Sequence, residues 1–267
     1  MYIHNYNAAQ YDRFTNDPAF IGAAYDWSGV ANKATMISPT HFIAAAHSSP
    51  SIGQSLTFYH GNDPLGPSEQ RTVTGLTQIV SEFGPSDLML GTLSSAVSSD
   101  VAIYPILVLP TIDDYGNLPI FSVGQSTVTT QRVGTNTIDP NSPYSTDPVF
   151  LANVDGSIGP VFLYDRDFVD GEALVQGGDS GLPSFAVYNG QLALVGLHWA
   201  LETNLPASVD TFLPYYVNLL NAQLAASGES VTVVPEPSSL ALAGLVALWG
   251  VGRLVHRRTA PRLPLAS

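Results

Sequence analysis

Cysteine is absent from all 267 residues. That excludes a disulfide framework, a zinc–thiolate centre and a cysteine nucleophile. It does not exclude export, because a chain of this length can bury a core that needs no covalent staple. Basic residues are nearly as scarce: 9 Lys and Arg stand against 22 Asp and Glu. Four of the nine (Arg253, Arg257, Arg258, Arg262) crowd into the last fifteen positions, so residues 1–232 hold 5 basic and 21 acidic side chains, a net of −16. Such a surface repels phosphate backbones, and nucleic acid is not an expected partner. The six histidines are scattered without metal-ligand spacing, so neither a metal nor another cofactor is expected. The first twenty residues carry no basic stretch followed by an apolar run, and no signal peptide is visible there.

What the chain does have is β-texture. Residues 1–17 mix aromatics with Asn, Asp and Gln and are expected to be an arm. From about Phe20, short apolar runs are punctuated by Gly, Pro, Asn and Ser roughly every ten residues, the pattern of a sandwich or barrel. Thr35-Met36-Ile37 and the run from Phe42 to Ala46 read as a hairpin leading into His47. Strands are expected over 55–60, 71–80 and 87–93. Residues 105–118, rich in Pro, Asp and Gly, read as a connector between two halves (about 18–104 and 119–226). The second half repeats the texture over 120–123, 128–133, 149–154 and 161–164. Asn189-Gly190 between apolar runs is a strong hairpin signal, and 215–224 is the one convincing amphipathic helix. Residues 227–234 read as a linker.

The chemistry centres on Gly178-Asp179-Ser180-Gly181. Glycines on both sides of a serine allow a tight turn that can aim successive N–H groups into one concavity, where an oxyanion could sit. A serine hydroxyl needs a base, usually a histidine oriented by a buried carboxylate. His47 at a strand end and Asp87 at a strand start supply those residue types in the order His, Asp, Ser. Asp100, before Val101-Ala102-Ile103, competes for the carboxylate role.

Together these segments resemble the trypsin-like (chymotrypsin-fold) serine proteases. The run into His47 resembles the histidine strand, Ser86-Asp87-Leu88-Met89-Leu90 the aspartate segment, and Tyr104-Pro105-Ile106 with Leu109-Pro110 the connector. Gly178-Asp179-Ser180-Gly181 resembles the nucleophile loop, and Val195-Gly196-Leu197-His198-Trp199 the strand lining the cleft. The gaps, 40 residues from His47 to Asp87 and 93 from Asp87 to Ser180, suit that family. The resemblance implies an all-β fold: two six-stranded antiparallel β-barrels with the active site between them, closed by one C-terminal helix. It implies His47 as general base, Asp87 as its orienter and Ser180 as nucleophile, with Gly178 and Ser180 N–H forming the oxyanion hole. Leu174 falls at the base of the primary specificity pocket, with His198, Trp199 and Ala200 along the cleft. His198 either bonds Asp87 or lines the cleft, and an apolar Leu174 favours an uncharged side chain at the cleaved position. In digestive members the residue equivalent to Asp179 pairs with an N-terminus freed by cleavage. No Ile-Val-Gly-Gly segment occurs here, so Asp179 has another partner or no zymogen step is needed. The expected function is a serine endopeptidase acting on polypeptide. A catalytically idle binding or matrix module and a serine esterase on the same fold are the alternatives.

The C-terminus differs in composition. Val234-Pro235-Glu236-Pro237 leads into an uncharged apolar run over 240–252, and the stretch 238–255 is long enough, at the short end, to span a bilayer as a single hydrophobic tail helix. Basic residues follow it, which places that end in the cytoplasm. Residues 235–258 resemble the PEP-CTERM sorting signal of Gram-negative bacteria, with 259–267 extending beyond it. That resemblance implies recognition by an exosortase, transient anchoring in the inner membrane, and delivery to the cell surface or extracellular matrix. Export of this kind uses an N-terminal signal, so a start site upstream of Met1 is expected.

Overall fold

The computed structural model describes residues 1–15, 17–127, 130–202 and 206–235. After β1 (Tyr2–Ile3) and a short helix α1 (Ala8–Tyr11) come six strands: β2 (Val30–Ala31), β3 (Ala34–Met36), β4 (His41–Ala45), β5 (Ser55–Tyr59), β6 (Ser68–Ser81) and β7 (Gly84–Leu93). They form one antiparallel sheet in the order β2-β3-β4-β7-β6-β5. The central strands β4 and β7 are apolar on both faces for a physical reason. Phe42, Ala44 and Leu93 point into a core with Ala31, Met36, Leu56, Phe58 and Val73. Their neighbours Ile43, Leu88 and Leu90 point the other way, into a second core shared with Leu182, Phe185, Leu194 and Trp27. A strand buried on both faces loses polar alternation, which is why the sequence around His47 and Asp87 reads as continuous apolar runs.

The second half contains β8 (Ile106–Leu107), β9 (Pro119–Thr127), β10 (Thr130–Thr137), β11 (Val149–Val154), β12 (Ser157–Tyr164), β13 (Ala173–Leu174), β14 (Pro183–Tyr188), β15 (Gln191–Glu202) and β16 (Ala207–Phe212). Helix α2 (Val217–Leu224) and β17 (Val233–Val234) follow. The sheet runs β10-β9-β14-β15-β16-β12-β11. Just past β10, the Asp139 N–H donates to Leu163 O at 3.0 Å. That bond joins β10's end of the sheet to β12 and makes it nearly a barrel. Six strands were expected in each half. The first half has six; the second sheet has nine, because β11 adds a hairpin to β12 and the short strands β8 and β17 join in parallel.

Two segments are more ordered than their composition suggests. The expected arm packs onto the body: β1 pairs with β13, and Met1, Ile3 and Tyr11 are buried with Ala173. The expected linker 227–234 belongs to the same compact unit, which spans Met1–Val234. Among the described residues no helix is long and apolar enough to cross a membrane. The expected span 238–255 lies outside the described residues.

Candidate active site

His47 sits in a single 3-10 turn, Ala46–Ser48, directly after β4, and Asp87 lies on the neighbouring strand β7. The register pairs Ala45 with Leu88, which brings Asp87 beside the turn. The Asp87 carboxylate, 1% exposed, accepts from the His47 backbone N–H at 2.9 Å through Oδ1 and from His47 Nδ1 at 2.8 Å through Oδ2. The first bond fixes the turn and the second fixes the ring and its tautomer, leaving Nε2 directed away from the carboxylate. His47 remains 44% exposed at its side chain. Its pKa is raised, chiefly by the hydrogen bond to Asp87, with burial opposing the shift. Asp100, the alternative carboxylate, is 71% exposed and stands 3.8 Å from His60 Nδ1, on a different histidine.

Ser180 lies on the turn between β13 and β14, flanked by Gly178 at φ 101° and Gly181 at φ 81°. Side chains with a Cβ rarely adopt these values. Gly181 also abuts β4: a Cβ there would lie 2.9 Å from Ala45 N. The Ser48 hydroxyl, next to His47, donates to Ser180 O at 3.2 Å. The serine loop is thereby seated against the end of the histidine strand. No hydrogen bond joins Ser180 Oγ to His47 among the described residues; the juxtaposition rests on these backbone contacts.

The loop's own N–H groups divide into two sets. Those of Asp179, Gly181 and Leu182 donate to Gln176 O, His198 O and Asp179 O at 3.0, 2.9 and 3.1 Å. Among the described residues those of Gly178 and Ser180 have no protein acceptor. Two unspent donors on a glycine turn beside a serine are chemically able to bind an oxyanion. Asp179 holds the turn from beneath. Its carboxylate is fully buried, accepts from Gln125 N–H at 2.8 Å and Gln176 N–H at 2.7 Å, and lies 2.7 Å from the equally buried Met1 ammonium.

His198 is placed differently from expectation. It neither bonds Asp87 nor faces the cleft; it is 0% exposed inside the second sheet. Nδ1 lies 2.9 Å from Asp210 Oδ1 and Nε2 lies 2.8 Å from Val123 O. Both ring nitrogens face oxygen acceptors, an arrangement that favours the doubly protonated ring. Ser122 Oγ and the Tyr164 hydroxyl complete its shell at 3.3 Å each. Burial alone would lower the His198 pKa, but the Asp210 charge and hydrogen bond, with Asp179 and the Val123 carbonyl, outweigh it and raise the pKa. Asp210 lies on β16, Ala207–Phe212, which is buried along its whole length and shows no polar alternation in sequence that would single it out.

Leu174 is a core residue, paired with Tyr2 and packed among Tyr164, Val175 and Phe162, which corrects its assignment to a pocket base. Trp199 is 6% exposed and packs with Val161, Leu163, Ala207 and Val209. Ala200 lines a hollow of about 510 Å³ with Leu163, Leu201, Val209 and the β11–β12 hairpin. No group of His, Cys, Asp and Glu suited to a metal occurs among the described residues.

The geometry defines a β-protein with a histidine–carboxylate pair and a glycine-flanked serine gathered between two sheets. Residues 233–258 match the PEP-CTERM protein-sorting motif. In overall structure the chain is similar to the NS6 protease from murine norovirus 1, at 15% identity and a TM-score of 0.45, covering 73% of this chain and 93% of that one. A chimeric murine norovirus NS6 protease, an inactive cysteine-to-alanine mutant, gives 15% identity and 0.44 over 70% and 92%. No curated protein matches the chain by sequence.

Proposed function

We propose that the chain is an exported serine endopeptidase of the chymotrypsin-like, two-barrel type. In this reading Ser180 Oγ attacks the substrate carbonyl and passes its proton to His47 Nε2. The Nδ1 bond to Asp87 stabilises the imidazolium so formed. The tetrahedral oxyanion is received by the Gly178 and Ser180 N–H groups. His47 then protonates the leaving amine, the acyl-enzyme forms on Ser180, and water releases it by the reverse sequence. Hydrogen bonds between nucleophile and base are often long without substrate and tighten in the complex. The observation that carries the reading is the pair of hydrogen bonds from His47 to the buried Asp87, with the serine loop seated on the same strand end. The sorting motif supports a second part: an exosortase recognises the C-terminus, 238–255 anchors the protein in the inner membrane before processing, and the body reaches the cell surface or matrix of a Gram-negative bacterium.

A fluorophosphonate reagent tests the first part. The full chain should be labelled, and Ser180→Ala and His47→Ala should each abolish labelling while leaving the circular dichroism spectrum unchanged. A folded parent that takes no label would overturn the protease reading and favour a binding module. Labelling with turnover of esters but of no peptide library would favour an esterase.

A further inference from the structure

We propose that two hairpin turns flanking His47 make the cleft selective by charge. Lys33 takes an acidic side chain on the leaving-group side of the scissile bond, and Asp155 takes a basic one on the acyl side. This rests on the protease reading and names the substrate class of that site: polypeptides whose charge changes sign across the cut.

Lys33 is the only lysine in the sequence. The four arginines of residues 1–232 are all engaged. Arg71 and Arg132 pair with Glu69 and Asp12, Arg13 donates to Val30 O, and Arg166 lies over the Tyr2 ring. The half-buried Lys33 ammonium has no hydrogen bond or ion pair among the described residues, although the same stretch carries 21 acidic side chains. The exposed Asp155 carboxylate likewise has none. Strand register closes β2–β3 around Asn32-Lys33 and β11–β12 around Asp155-Gly156. Both charged residues sit at positive φ, 57° and 50°. Aspartate is at home in such a turn; lysine is not, and glycine would suit position 33 better. Turn chemistry therefore does not account for a lysine there.

The two turns reach the site from different sides. Asn32 Oδ1 accepts from Gln125 Nε2 at 2.7 Å, and Gln125 N–H donates to Asp179 Oδ1 at 2.8 Å. The Lys33 turn is thus tied to the serine loop, one residue from Ser180. The β11–β12 hairpin instead leans on β7, where a Cβ on Gly159 would lie 3.9 Å from Ser86 Cβ, next to Asp87. The same hairpin walls the hollow that Ala200 of β15 lines. In the protease reading the acyl half of the substrate runs along β15, so Asp155 serves that half and Lys33 the other. The Asp87 hydrogen bond dominates the raised His47 pKa and burial opposes it. Beyond these the ring feels Lys33, which lowers the value, and Asp155, which raises it. Both charges therefore act at the reacting histidine. An ammonium without a partner gives up no internal ion pair when it takes a substrate carboxylate.

A random peptide library, cut by the full chain and sequenced across each cut, tests this. Glu and Asp should exceed Gln and Asn about fivefold within the first few residues after the cut, the scale of one partly screened ion pair. Lys and Arg should be enriched before it. Lys33→Gln should abolish the first preference and keep the second, Lys33→Glu should invert the first, and Asp155→Asn should abolish only the second. Salt at about 1 M should flatten both. An acidic preference that survives Lys33→Gln, or parent cuts with neutral residues on both sides, would overturn the inference. A parent that cuts no peptide and takes no fluorophosphonate fails the protease reading instead, and binding then decides the charge selectivity. For that arm the Ser180→Ala chain is titrated, by fluorescence anisotropy, into labelled random peptide pools rich in Glu or in Gln. Adding Lys33→Gln should weaken binding of the Glu pool about fivefold relative to the Gln pool. An unchanged ratio between the pools would sink the proposal.

Discussion

Asp87 holds His47 twice, by the backbone N–H at 2.9 Å and by Nδ1 at 2.8 Å. One carboxylate therefore sets both the conformation of the turn and the orientation of the ring. The backbone bond survives a change from carboxylate to amide, while the Nδ1 bond loses its charge and its hold on the tautomer.

Asp87→Asn should for that reason leave the fold intact and remove most activity, about 10⁴-fold in kcat by analogy with loss of the tautomer in such triads. His47 works as a base only when neutral. Its raised pKa moves the acid limb of the pH–rate profile above pH ~6.5, the ordinary histidine value. In Asp87→Asn the remaining activity should show that limb displaced to lower pH. Steady-state rates from pH 5 to 9 on both proteins check this; an unshifted limb would remove His47 from the base role.

The His198–Asp210 pair is fully enclosed. Removing one member strands the other charge, which costs about 3–5 kcal/mol. His198→Leu should therefore lower stability more than the double variant His198→Leu/Asp210→Leu, and urea denaturation of the four-member cycle measures the difference. The pH dependence follows from the sign of the shift. His198 binds its proton more tightly when folded, so its contribution is complete below pH ~6.5 and is lost as pH rises through the raised folded value.

Asp139 has the opposite chemistry and a similar direction. Burial and the neighbouring Asp165, Asp167 and Glu172 push its pKa up to about 7. A carboxyl held above its unfolded value favours the folded state while protonated, so stability falls as pH rises from about 4 to 7. Asp139→Asn should raise the melting temperature at pH 8 and leave it little changed at pH 4. Equal effects at both values would show that the carboxyl is not buried in a field of like charge.

Much of both sheets was legible where their signals are local. The apolar runs into His47 and after Asp87, and the hairpin at Asn189-Gly190, depend on period and turn chemistry, and the strands lie where those patterns fall. The glycines around Ser180 likewise announce a turn, since φ values near 100° and 80° suit few other residues. Leu174, by contrast, was read by alignment alone. A hydrophobic residue at a pocket base and one in a core look the same until its partners Tyr2 and Val175 are known. His198 was read as a cleft residue because its partner Asp210 lies on a separate strand whose pairing the sequence does not print.

By itself, then, the sequence determined the β-rich fold class, the lack of any cysteine, the turn that carries Ser180 and the sorting motif over 233–258. All of these are set by residue type and short-range spacing. Only the tertiary structure decided which carboxylate serves which histidine, with Asp87 on His47, Asp210 on His198 and Glu229 on His41. It alone showed that Val233 and Val234 form a strand paired with Ile106 and Leu107. The reason is common to all four: each partner is brought in by strand pairing or packing across 12 to 188 positions of chain. Such contacts depend on how the sheets close, which no local pattern encodes.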